Sequence, residues 1–274
     1  MPRKTSRRLN DLDAKAWVRA TKSWFVINPR RRNREQLTHP AKYPEELAER
    51  FITFFTRAGQ WVLDPFAGVG STLIAAKRAG RNSVGVELVP EFADIARIAL
   101  DGVESSCSAH VLVGDSRGLG DLLRSSMDSV PVFDFVMTSP PYWNMLHKSR
   151  GHNETVHKSR AEKGLPQVYS SLSEDLGNIE SYDEYLNGVV AVFRQVKTLI
   201  RPGSYLVVVV QNVRDVNGVL RPVAWDLALA LSHLFALRQE QIWCQDNKRL
   251  GCWGYPTTYV SNVHHHYCLV FENA

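Results

Sequence analysis

Two short runs in this 274-residue chain bring together residues whose types and spacing suit ligand binding and catalysis. The first is LDPFAGVGST (63–72), between an apolar stretch and a helical pattern. Gly68 and Gly70 allow the backbone to approach a ligand closely and to adopt unusual dihedrals. No Lys follows Gly70, so the run is not a phosphate-binding GxxxxGK[ST] loop, and it is not a full GxGxxG. On its own it reads equally as a tight turn. Glu87 ends the next apolar stretch, where a carboxylate can accept hydrogen bonds from both ribose hydroxyls. Asp115 ends the one after, where it could receive an adenine amino group. Three such strand ends in succession describe a nucleoside pocket. Without a dinucleotide signature, that pocket suits one adenosine with a charged tail.

The second run is Thr138-Ser139-Pro140-Pro141-Tyr142-Trp143. Two consecutive prolines cannot continue a central strand. They fix a rigid loop with carbonyls in set directions, preceded by a hydroxyl and followed by two aromatic rings. The other reading is a proline-rich strand exit with aromatics on the surface.

The elements that must position these runs are legible as alternating patterns. Strands are predicted at 61–65, 83–87, 110–115, 133–139, 204–213, 237–244 and 265–272. Helices are predicted at 71–80, 90–100, 181–200 and 221–235, the third stopped by Arg201-Pro202-Gly203. The first five strands are separated by helices or longer crossovers and should be parallel. The last two should form a C-terminal antiparallel hairpin. The fold class is therefore α/β, a doubly wound, mostly parallel seven-stranded sheet. On it the glycine turn and the proline loop leave the same rim. Irregular stretches are expected at 1–36, 144–180 and 245–264.

With these elements the sequence resembles the amino-group DNA methyltransferases that use S-adenosylmethionine, above all the N4-cytosine type. DPFAGVGS is similar to the family's cofactor motif and TSPPYW to its catalytic motif. THPAKYPEEL (38–47) is similar to the segment that closes over the methionine end. The resemblance covers roughly residues 20–272 and implies a Rossmann-like methyltransferase fold. It implies catalytic roles for Ser139, Pro140, Pro141 and Tyr142. It implies cofactor contacts from Lys42, Tyr43, Asp64, Pro65, Phe66, Gly68, Gly70, Ser71, Thr72, Glu87, Leu88, Asp115 and Ser116. Ser139 and the Pro140 carbonyl would accept hydrogen bonds from the target amine, and Tyr142 would stack on a flipped-out base. Adenine-directed relatives more often carry Asp or Asn where this chain has Ser139. The expected partners are duplex DNA and a cognate restriction endonuclease acting on the same site.

Charge agrees with a polyanionic partner. Residues 1–35 hold eleven Lys and Arg against three Asp and Glu, on a chain whose formal net charge is +5. The expected division is a basic arm at 1–36 and a single domain at 37–274, with a DNA-recognition insert at 144–180. Candidate DNA contacts are Arg30, Arg31, Arg32, Trp143, Lys148, Arg150, Lys158, Arg160, Lys248 and Arg249. A solvated arm and a flexible lid are the competing readings of arm and insert. Four cysteines form no CxxC pair, and His264-His265-His266 enters a strand, so no metal site is expected. No signal or membrane-spanning run is expected either, which fits a cytoplasmic, nucleoid-associated protein. N6-adenine methylation, an RNA target and a non-catalytic DNA-binding relative are the alternatives.

Overall fold

Phe133–Thr138 is buried at every position, as a strand covered on both faces must be. The computed structural model describes residues 8–29, 42–143, 170, 172–214, 218–252 and 254–274. In chain order its strands are β1 (Trp24–Val26), β2 (Trp61–Asp64), β3 (Asn82–Glu87), β4 (Ala109–Val113), β5 (Phe133–Thr138), β6 (Ile200–Val210), β7 (Val213–Arg214), β8 (Leu220–Arg221), β9 (Ala236–Cys244) and β10 (His265–Glu272). The short β7 and β8 pair with each other. The other eight form one sheet in the order β4-β3-β2-β5-β6-β10-β9-β1. From β4 to β6 all neighbours are parallel. β10 runs antiparallel to both β6 and β9. The chain reverses its direction of travel across the sheet between β2 and β5. Loops leaving the carboxyl ends of these two strands therefore flank the crevice where such sheets bind ligands.

All seven predicted strands form, and the last two make the expected antiparallel hairpin. The eighth, β1, pairs parallel to β9 inside the stretch read as irregular. Only Phe25 of its three residues is buried, which is too short a signal for a period-two pattern. Helix α1 (Ala14–Ala20) lies in the same stretch and packs Trp17 on Phe54, ring centroids 4.9 Å apart. Arg201-Pro202-Gly203 does stop a helix, but the three residues belong to β6. Gly203, at φ +76°, donates to the Asn273 carbonyl at 2.7 Å, so an irregular strand start keeps its pairing.

The remaining helices are α2 (Glu45–Phe55), α3 (Ser71–Arg78), α4 (Pro90–Asp101), α5 (Leu119–Ser126), α6 (Tyr182–Leu199) and α7 (Val223–Leu231). The sheet shares its two faces between them. Along β6, Leu206, Val208 and Val210 join the core formed with α5, α6 and α7. Val207 and Val209 join the opposite core, formed with α2 and α3. This is the period-two alternation of a strand. α2 was not anticipated from the sequence. It buries Leu47, Phe51, Ile52 and Phe55, each worth about 1.5–3 kcal/mol, and this anchors the segment just before it at the sheet rim.

The glycine turn uses its freedom at Gly70, which precedes α3 with φ +85°. A Cβ there would stand 2.9 Å from the Ala96 Cβ of α4. Gly70→Ala is therefore expected to destabilise the fold by about 1–3 kcal/mol, from left-handed strain and the clash together. Urea unfolding should show a lower midpoint. An unchanged midpoint would mean that the turn relaxes without cost.

Candidate active site

The geometry of the rim begins at Asp64, the last residue of β2. Its carboxylate receives four hydrogen bonds: from the Phe66 N–H at 3.0 Å, Thr138 Oγ1 at 2.6 Å, the Tyr43 hydroxyl at 3.1 Å and Thr72 Oγ1. The Tyr43 and Thr72 hydroxyls also touch each other. Ser71 Oγ donates to the Tyr43 carbonyl at 3.0 Å. Burial pushes the Asp64 carboxyl up, and these donors oppose the shift. Burial beside Asp64 pushes the Tyr43 phenol well above its ordinary range, so it stays a donor. One carboxylate thus joins the segment before α2, the glycine turn, the start of α3 and the end of β5.

Around this anchor lies a cavity of about 570 Å³. That is ample for a nucleoside with an additional group. Lys42, Tyr43, Pro65, Phe66, Gly68, Ser71, Glu87, Leu88, Asp115 and Ser116 line it, as do Ser139, Pro140, Pro141 and Tyr142. Asp64, Gly70 and Thr72 lie behind the wall and act through the residues they hold. Glu87 accepts from the Gly68 N–H at 2.8 Å on one oxygen and from the Val89 N–H at 2.9 Å on the other. An ionised carboxylate has about four acceptor positions, so two remain for a ligand. Burial pushes Glu87 up to about 7, against those two N–H groups and helped by nearby Asp175 and Asp64. Asp115 caps the turn Ser116–Gly118 and is paired with Arg117, whose backbone N–H and Nε both donate at 2.8 Å.

The other end of the cavity is built by the proline loop and the C-terminal hairpin. Burial pushes the Tyr142 phenol up to about 12, so it too remains a hydroxyl. His266 of β10 stacks on Trp243 of β9 with centroids 4.6 Å apart. Gln245, 5% exposed, has an Oε1 without a hydrogen-bond partner. Lys248 also lines the cavity, and burial pushes its ammonium down.

Of the sequence-based DNA contacts, Trp143 packs on Tyr182 of α6 with centroids 5.0 Å apart and does not line the cavity. Arg249 is exposed beside Lys248, which lines the cavity. Arg30, Arg31, Arg32, Lys148, Arg150, Lys158 and Arg160 lie outside the described residues. Sequence reasoning missed Asp175, Gln211, Trp243, Gln245 and His266, all of which line the cavity. The signal was available for most of them. Gln211 follows β6, Trp243 and Gln245 flank the end of β9, and His266 lies at the start of the antiparallel β10. All four therefore stand on the rim that carries Ser139. Among the described residues no cluster of His, Cys, Asp and Glu could hold a metal, and no helix is long and apolar enough to cross a membrane.

Residues 3–97 match the family described as DNA methylase. The chain is 56% identical over 55 residues to the Type II methyltransferase M.MthZI of Methanothermobacter thermautotrophicus, covering 20% of this chain and 16% of that protein. It is 39% identical over 79 residues to the Type II methyltransferase M.BglII of Bacillus subtilis, covering 29% and 22%. It is 44% identical over 63 residues to the Type II methyltransferase M2.DpnII of Streptococcus pneumoniae, covering 23% and 24%. The matches thus span less than a quarter of each relative. In overall fold the chain is similar to a solved rRNA-methylase candidate from Clostridium thermocellum. The TM-score is 0.50 at 12% identity, over 85% of this chain and 98% of that one. Over these stretches the chain is similar to the amino-group DNA methyltransferases, N4- and N6-directed types alike.

Proposed function

We propose that this chain is a DNA methyltransferase that places a methyl group from S-adenosylmethionine on the exocyclic N4 amine of a cytosine flipped out of duplex DNA. The observation that carries the reading is one cavity lined by both the Gly68–Glu87 turn and Ser139-Pro140-Pro141-Tyr142. When bound, S-adenosylmethionine supplies an electrophilic methyl group on a sulfonium. The residues present fit it. Glu87 has acceptor positions left for a ribose diol, and Asp115 keeps a lone pair for an adenine amine. Pro65, Phe66 and Leu88 would flank the adenosine, with Ser116 beside them. Lys42, Tyr43 and Ser71 would face the methionine end.

The other residues of the cavity suit a base. A cytosine amine is a poor nucleophile because its lone pair is delocalised into the ring. Ser139 Oγ and the Pro140 carbonyl would accept from its two hydrogens and localise that pair. Pro141 keeps the loop rigid. Extruding the base costs about a few kcal/mol, which stacking on Tyr142 offsets in part. The unpartnered Gln245 Oε1 would accept from the Watson–Crick edge. Lys248 would meet a phosphate, and Arg249 and the basic residues at 30–32 and 148–160 would add further backbone contacts. Ser139, where adenine-directed relatives more often carry Asp or Asn, favours the N4 reading over N6-adenine. A cognate restriction endonuclease acting at the same sequence would be the partner.

Two outcomes test this. A ribose diol donates hydrogen bonds, so it favours ionised Glu87. S-adenosylhomocysteine should bind with constant affinity well above pH 7. It should weaken, by up to about tenfold per pH unit, as the pH falls below 7. Glu87→Gln should flatten that dependence, and calorimetry that finds the wild-type affinity level from pH 8.5 to 5.5 would remove Glu87 from the diol site.

The second outcome concerns the base. Mass spectrometry of nucleosides from DNA treated with the protein and S-adenosylmethionine should show N4-methylcytosine. Ser139→Ala should lower the single-turnover rate by roughly 10²–10³, the usual worth of a preorganised polar group, with near-normal cofactor affinity. N6-methyladenine as product would replace the N4 reading with the adenine one. Methylation of RNA alone would overturn the DNA substrate.

A further inference from the structure

Ser139 can accept a hydrogen bond from a target amine only if its own proton points elsewhere. Its Oγ donates toward the Tyr142 hydroxyl, 3.4 Å away. The Tyr142 hydroxyl stands 3.4 Å from Nδ1 of His266. Each hydroxyl has one proton to give. If Ser139 gives its proton to Tyr142, Tyr142 must give its own onward, and Nδ1 is the acceptor within reach. Catalytic hydrogen bonds often reach their shortest length only in the productive complex.

The imidazole is held for that role. His266 and Trp243 are directly opposite in the β9–β10 register, and their rings lie at 22° to each other. The Tyr142 and His266 rings meet at 41° with centroids 6.4 Å apart. Burial pushes His266 down to about 3, and the nearby positive charges of Lys248 and His265 push the same way. Cys268, two residues along the same face of β10, is pushed up by burial and is a neutral thiol. A ring this reluctant to charge is a poor sink for the proton that the methylated amine must lose. It is a good fixed acceptor.

We propose that His266 sets the direction of the Ser139–Tyr142 hydroxyl chain, accepting the Tyr142 proton at Nδ1 so that Ser139 presents its lone pairs to the target amine. His266 is then a positioning residue acting through Tyr142, and this role rests on the reading of Ser139 as the amine's acceptor. It requires the tautomer with the proton on Nε2, since a proton on Nδ1 would reverse the chain and turn the Ser139 hydroxyl toward the base.

The tautomer is measurable without turnover. Nitrogen-15 NMR of the full chain, labelled at histidine and assigned with a His266→Asn variant, should show Nδ1 of His266 unprotonated between pH 6 and 8. Its shift should change in Tyr142→Phe. A proton on Nδ1 overturns the proposal. In single-turnover methylation of DNA, His266→Leu should lower the rate about tenfold, the worth of a hydrogen bond of typical strength, with unchanged cofactor affinity. His266→Asn, which offers an acceptor near the Nδ1 position, should recover most of the rate. Tyr142→Phe combined with His266→Leu should be no slower than the slower single variant, because both break one chain. Additive losses, or a parental rate for His266→Leu, overturn the proposal. If the parent methylates no DNA at all, the functional reading fails, while the tautomer still decides the hydroxyl chain.

Discussion

A carboxylate sealed from water must be either neutralised or saturated with donors, and Asp64 is saturated. It is 1% exposed. Its donors come from four places in the chain, and Thr138 is 74 residues beyond it. To satisfy that one group, the segment carrying Tyr43, the glycine turn, the start of α3 and the end of β5 must all converge. Losing one donor would leave a buried acceptor short and cost about 1–3 kcal/mol. The relative placement of the Gly68–Glu87 turn and the proline loop is therefore fixed by hydrogen-bond accounting at the point where β2 and β5 lie side by side. The cavity follows from that placement. The turn, the proline loop and the residues before α2 all line it.

The elements that position the site were legible because they are long and strongly patterned. β5 and β6 read as apolar runs, and α3, α4, α6 and α7 as helical ones, because burial on both sheet faces leaves little freedom of composition. What escaped had weak local signals. β1 has three residues, and its place is set by pairing with β9, which no local pattern reveals. α2 is amphipathic, yet it follows a segment that had been read for its motif instead of its period. Asp64 was legible as part of the cofactor motif. Its role as anchor was not, because Tyr43 and Thr138 are distant in sequence. His266 was read as strand packing, which holds for its ring on Trp243. Its contact with Tyr142 depends on β10 lying beside β6, a tertiary fact.

Polarity along the cavity wall divides it by chemistry. Glu87 and Asp175 stand close enough for each charge to oppose the other, beside the glycine turn. Lys248 stands near His266 at the hairpin end. Between them, the Tyr142 phenol is held neutral by burial. A low-dielectric cavity strengthens such differences, because the same charges in water would be screened. The carboxylate end favours hydroxyl donors and positive charge, and the lysine end favours anions. In the proposed function, a cationic cofactor would be drawn to the first and a polyanionic substrate to the second.

The neutral centre matters as much as the charged ends. Ser139, Tyr142 and His266 supply acceptors without net charge. Their cost is directional, since hydroxyls rotate and an undirected Ser139 would spend part of its time donating. Rigid Pro140-Pro141 fixes where the serine oxygen stands, and the hairpin fixes where Nδ1 stands, because Trp243 and His266 are paired across the strands. With Nδ1 unprotonated, the tyrosine between them satisfies both neighbours only by accepting from Ser139 and donating to His266. Two backbone elements far apart in the chain thus constrain a proton that neither of them carries. On the proposed reading, an antiparallel hairpin at the carboxyl-terminal end would contribute to chemistry whose recognisable motif lies in the loop after β5.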